Sequence, residues 1–155
     1  MTNYEVNYGE YQKEFDNLPF DLQLISLNPK FCREFQTYNK NLKIVYWIFK
    51  ENKKVFMNCF FLGKINNSNH FDIQSPYPYG GPICTTNDKL FLKSANQQFE
   101  NWALNKNVLV EFYKFNPILD QKKWYDGQVI NNRETVIIDL KKDLMENYEK
   151  RRFYD

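Results

Sequence analysis

Apolar and polar positions fall into blocks along this chain, and the blocks predict its elements. Residues 1–20 mix Tyr, Glu and Asn with no clear period, so they predict no regular element, and Leu18-Pro19-Phe20 reads as a packed corner. Leu22 to Leu27 reads as a short extended piece. Asn28-Pro29 opens a helix, because Asn caps free N–H groups and proline at the first helical position gives up an N–H that would lack a partner anyway. Phe31, Cys32, Phe35 and Tyr38 follow at helical spacing until Asn39-Lys40-Asn41 ends the element. Lys43 to Lys50 holds Ile44, Val45, Tyr46, Trp47, Ile48 and Phe49 in an unbroken run, which fits an interior strand buried on both faces. Glu51-Asn52-Lys53-Lys54 is a polar turn, Val55 to Leu62 the returning strand and Gly63 to Asn69 a polar loop. Phe71-Asp72-Ile73 is a further short strand.

Asn87 or Asp88 caps a second helix that reaches about Asn105 and carries Leu90, Leu92, Phe99, Trp102, Ala103 and Leu104 at its apolar positions. Val108 to Phe115 reads as a strand closed by Asn116-Pro117, and Ile118 to Trp124 as a short helical turn. Tyr125 to Ile130 and Thr135 to Leu140 read as an antiparallel pair joined at residues 131–134. A last helix opens at Lys141-Lys142-Asp143 and reaches Arg151-Arg152. Strand hairpins combined with helices imply an α/β domain of the α+β, mixed-sheet kind, spanning residues 1–155 as one unit. Trp47, Phe49, Phe56, Phe60, Phe99 and Trp102 are the expected core.

One segment breaks the pattern. His70 to Pro82 reads His-Phe-Asp-Ile-Gln-Ser-Pro-Tyr-Pro-Tyr-Gly-Gly-Pro, with three prolines and two adjacent glycines. Each proline fixes its own φ and pushes the residue before it towards extended conformations, so no helix or regular strand fits there. Gly80 and Gly81 allow close approach of another group. The Tyr77-Pro78 bond is a candidate for the cis form, which an aromatic residue before proline favours. The segment reads as a shaped loop, and two roles stay open for Ser75 to Pro82. It either packs the sheet against a neighbouring domain or walls a pocket, with Gly80 and Gly81 N–H groups offered to an anionic or carbonyl oxygen.

Composition narrows the classes. Lys and Arg total 21 against 19 Asp and Glu, so charge alone does not mark a nucleic-acid binder. Mean hydropathy of −0.69 and the lack of any run of about 18 apolar residues argue against a membrane span. Residues 1–5 lack the basic and apolar regions of a secretory signal. Cys32, Cys59 and Cys84 are odd in number and far apart, which suits free thiols in a cytoplasm. They lack metal spacing, and His70 is the only histidine, so no metal site is expected. Aromatic residues make up 18% of the chain, alongside many Asn, Lys and Ile; an AT-rich coding bias and an aromatic recognition surface both account for that.

Three stretches carry a resemblance to a known family. Asp72-Ile73-Gln74-Ser75-Pro76-Tyr77-Pro78-Tyr79-Gly80-Gly81-Pro82 resembles the Asp-x-x-Ser-Pro-Tyr-Gly-Tyr-Gly-Gly-Pro segment of FemAB-like, GNAT-related acyl and aminoacyl transferases. Glu111-Phe112-Tyr113-Lys114-Phe115-Asn116-Pro117 is similar to that family's Glu-Phe-x-Arg-Phe-His-Pro. Val136 to Leu140, a helix and Lys150-Arg151-Arg152 look like the strand and Arg-containing helix that lead to the family's second domain. Pro78 stands where the family has Gly, Lys114 where it has Arg and Asn116 where it has His.

The resemblance implies a GNAT-like fold, as the N-terminal half of an enzyme usually built from two halves. It implies a bacterial-type, cytoplasmic acyltransferase moving an acyl or aminoacyl group onto an amine of an amino sugar, peptide or cell-envelope precursor. The donor would be acyl-CoA or aminoacyl-tRNA. A second GNAT-like half or a partner chain would dock near residues 141–155, whereas a domain that kept the fold and lost that half would expose an apolar face there. The substrate-binding candidates are Asp72, Ser75, Tyr77, Tyr79, Gly80, Gly81, Lys114 and Asn116, with no catalytic residue assigned. Asp72 is either a cap for the loop's backbone donors or a base for an acceptor amine. Lys114 and Asn116 either meet an acceptor phosphate or carboxylate or form a solvated strand end. Lys150-Arg151-Arg152 either ends a helix favourably or meets RNA phosphates. The alternative from another class is a non-catalytic binding domain that kept the fold.

Overall fold

The computed structural model of the protein describes residues 4–36, 41–132 and 141. Among them lie six strands and three α-helices: β1 (Glu5–Val6), α1 (Tyr8–Asp16), α2 (Pro29–Gln36), β2 (Leu42–Glu51), β3 (Lys54–Lys64), β4 (Phe71–Gln74), β5 (Ile83–Cys84), α3 (Lys89–Asn105) and β6 (Val108–Phe112). The architecture is α+β, built on one mixed sheet in the order β1-β2-β3-β4-β6, with β5 also pairing with β3.

The β2–β3 hairpin is the spine. Its register runs from Leu42↔Gly63 to Glu51↔Lys54, closed by Asn52-Lys53. Asn52 takes a φ of 56°, a left-handed value that Asn accepts more readily than most residues. Both faces of β2 are covered, which is why its apolar run is unbroken. Tyr46 packs on Tyr11 of α1 with ring centroids 5.2 Å apart, while the next residue, Trp47, points to the other face and meets Phe99 of α3 at 5.2 Å. Phe60 joins Phe99 and Trp102 on the α3 side. Trp47, Phe56, Phe60 and Phe99 are buried, and Phe49 and Trp102 pack against the same core.

β4 and β5 share one edge of β3 at opposite ends. β4 pairs with Phe61–Lys64 and β5 with Phe56–Met57. The chain leaves that edge after Gln74, runs through residues 75–82 and returns to it at Ile83, so the shaped loop fills an opening in the sheet. β6 then lies parallel to β4, with a bulge between Phe71 and Asp72.

Helix starts follow their caps. Asn28 Oδ1 accepts from the N–H of Lys30 at 2.9 Å, and Asp88 Oδ1 from those of Leu90 and Phe91. Several expectations need correction. Residues 1–20 are not featureless, because β1 pairs with β2 and α1 opens on a reciprocal Asn7–Glu10 capping box. Residues 22–27 are not extended; Phe20–Leu22 and Ile25–Leu27 are 3-10 turns. β6 ends at Phe112, short of Phe115, and residues 125–130 form no strand. Their expected partner at 135–140, the C-terminal helix and the apolar face near 141–155 lie outside the described residues, Lys141 excepted. Among the described residues, no helix is long and apolar enough to cross a membrane.

Candidate functional site

The loop at 75–82 is stitched to the chain that follows β6. Ser75 donates its N–H to the Phe112 carbonyl at 3.1 Å, and its Oγ accepts from the N–H of Lys114 at 3.2 Å. Gly80 donates its N–H to the Lys114 carbonyl at 2.9 Å. That donor is spent inside the fold, so it is not open to a substrate oxygen. Gly81 is buried with φ 103°, and a Cβ added there would meet the ring of Phe115. The Tyr77-Pro78 bond is cis, as its sequence favours.

Gln121 clamps this arrangement. It is 1% exposed, and its Nε2 donates to the carbonyls of Gly80 at 3.3 Å and Pro82 at 3.0 Å. Its Oε1 accepts from the N–H of Asn116 at 2.7 Å. Asn116 is buried as well: its Nδ2 donates to Ser26 Oγ and its Oδ1 accepts from the N–H of Ile118. Asn116 therefore braces the turn after β6 and offers no free side-chain group to solvent. Sequence reasoning missed Gln121. Nothing local marks it, since a glutamine in a polar turn looks solvated.

Asp72 does not cap the loop. Its Oδ2 accepts from Gln74 Nε2 at 2.9 Å on the same strand, and its Oδ1 is buried with no hydrogen-bond partner among the described residues. The same carboxylate crowds Gly63, where a Cβ would collide with Oδ1. Of the sequence-predicted residues, Tyr77 and Lys114 are exposed, and Tyr79, like Asp72 and Ser75, is half-buried. Tyr77 is 69% exposed, with its ring 5.7 Å from that of Phe35. Tyr79 lies under the Lys114 ammonium, which sits 5.1 Å from the ring centroid. Lys114 is exposed and makes no ion pair among the described residues.

β6 also holds an acid that the candidate set left out. Glu111 Oε1 accepts from the Tyr125 hydroxyl at 2.9 Å, and Oε2 is buried with no hydrogen-bond partner among the described residues. Burial pushes the Glu111 carboxyl above its ordinary range and outweighs the Tyr125 and Tyr113 hydroxyls that favour its charge. The Tyr113 hydroxyl accepts from Asn58 Nδ2 at 2.8 Å, in the stretch of β3 that neither β4 nor β5 covers. Burial and the neighbouring Glu111 raise Tyr113 well above 10.

The cysteines offer no ready nucleophile. All are free and buried, and burial raises Cys59 well above its usual value and Cys84 to about 11. No group of His, Cys, Asp and Glu among the described residues is arranged to hold a metal ion. No family model, curated protein or solved structure matches the chain.

Proposed function

We propose that this chain is the acceptor-binding half of an N-acyltransferase-type enzyme with a GNAT-like fold, serving an acceptor amine whose molecule also carries a phosphate or carboxylate. The observation that carries this reading is Lys114. Its ammonium, without an ion pair among the described residues, sits over Tyr79 and next to the loop that resembles the FemAB-like signature. An exposed cation resting on one aromatic face suits an anionic group on a planar or sugar-bearing ligand. Amino sugars, peptides and cell-envelope precursors are acceptors of that kind. The chain's own part is to bind and orient the acceptor, because the Gly80 N–H that would polarise a donor carbonyl is already committed. The donor, acyl-CoA or aminoacyl-tRNA, would be held by a second half or a partner chain.

The test is calorimetry with glucosamine 6-phosphate as probe. Saturable heat that disappears in Lys114→Glu supports the reading, and none at millimolar probe sinks it. The same committed Gly80 donor and buried Asn116 favour a second reading, a non-catalytic binding domain. Acetyl transfer from acetyl-CoA to the probe, assayed by thiol release, separates the two.

A further inference from the structure

Among the described residues the sheet ends at β6, and the edge away from β4 has an unusual makeup for one that faces water. Its sequence is Val-Leu-Val-Glu-Phe, with neither the lysine nor the proline that natural proteins use to blunt an exposed edge. Leu109 is 67% exposed, Val110 55% and Phe112 72%. The one charged side chain, Glu111, is held by the Tyr125 hydroxyl. We propose that residues 135–140 of this chain, which lie outside the described residues, cover β6 as a further strand of the sheet.

Backbone direction shows which groups such a strand would take up. The Phe112 carbonyl accepts from the Ser75 N–H, on the β4 side. Backbone groups alternate sides along a strand, so those of Glu111, one residue back, point to the outer edge. Sequence and reach name the occupant. Thr135-Val136-Ile137-Ile138-Asp139-Leu140 is a run of mostly β-branched residues that suits a strand. Tyr125 is bonded to Glu111, and Asp126 and Gly127 share a groove with Val108–Glu111, so the chain approaches this run already beside β6. Thr135 is eight residues past Gly127. That length reaches up to about 27 Å, whereas β6 spans only about 16 Å, so every part of the edge is within range. A tethered strand also meets the edge at a high effective concentration, which a separate second copy lacks. The inference does not rest on the transfer reading, which uses Lys114 and Tyr79.

The experiment is NMR of the full chain. Expected in the wild type are nuclear Overhauser contacts between backbone protons of residues 109–111 and of residues 135–140, and slow solvent exchange of the Glu111 amide. Ile137→Pro removes an N–H and does not fit inside a ladder. Exchange at Glu111 should therefore quicken by about tenfold or more in that variant, while the β2–β3 amides keep their protection. The Overhauser contacts need no variant, so they test the proposal even if Ile137→Pro fails to fold. Contacts from 135–140 to residues 125–130 in place of β6 would overturn it, as would open-chain exchange at Glu111 in the wild type. Unchanged Glu111 exchange in a folded Ile137→Pro overturns it too. So does protection that grows with protein concentration, which is the mark of a second copy on the edge.

Discussion

The side-chain amide of Gln121 donates to the carbonyl of Pro82 at 3.0 Å, across 39 residues of chain. The same amide serves the Gly80 carbonyl and the Asn116 N–H, so one buried side chain completes three backbone groups of two different loops. Gln121→Leu keeps the approximate volume and removes every one of those bonds. Each buried group left unbonded costs about 1–3 kcal/mol, so a loss of about 3 kcal/mol or more is expected. Urea unfolding checks it. A loss below about 1 kcal/mol would mean that the loop does not depend on this clamp.

Gly81 is the loop's most constrained backbone position. Its φ of 103° is hard for any side chain to adopt, and a Cβ would lie 2.7 Å from Phe115 Cε1. Gly81→Ala is expected to cost about 2 kcal/mol by strain and overpacking together. An unchanged thermal midpoint in the variant would contradict that geometry.

Glu111 ties stability to pH. Its folded value lies above the ordinary 4.5, chiefly through burial. Between those two values the folded state holds a proton that the unfolded state has lost. The Glu111 contribution is therefore full below 4.5 and declines as pH rises to the raised folded value. Asp88 acts in the opposite sense, since the Lys54 ammonium holds its carboxyl below the usual range. The quantity to measure is thus the difference between wild type and Glu111→Gln across pH 4 to 8. The variant should gain on the wild type as pH rises through the window; a difference independent of pH would refute the assignment.

At the other end of the chain, Asn7 accepts from the Glu10 N–H at 3.0 Å, and the Glu10 side chain reaches back to the Asn7 N–H. Asn7→Ala should destabilise the protein by about 1 kcal/mol. Serine at the same position should restore most of that loss, which circular dichroism melts can follow.

The legible parts of the fold were those whose causes are local. The apolar run at 43–50, the polar turn and the returning run gave the β2–β3 hairpin. Asn28-Pro29 and Asp88 marked the starts of α2 and α3. α1 escaped because only Tyr11 and Phe15 of its residues are buried, too few to show a helical period among polar neighbours. The expected strand to Phe115 stops at Phe112 because the groups of Lys114 bond to Ser75 and Gly80 instead of continuing a ladder.

For the site, the sequence alone determined that residues 75–82 must be a shaped loop after the short strand at Phe71, since proline and glycine restrict or free the backbone wherever they stand. It also read Glu111 and Lys114 into a strand running to Phe115, with Asn116 closing it. Tertiary structure decided what those groups face. Asn116 turned inward to Ser26, Gly80 lost its N–H to Lys114, and Glu111 found Tyr125, while Lys114 stayed exposed over the Tyr79 ring. The physical reason is distance along the chain. A backbone restriction acts within a residue or two, whereas a buried polar group is satisfied by whichever partner the fold brings to it, and no local pattern names that partner.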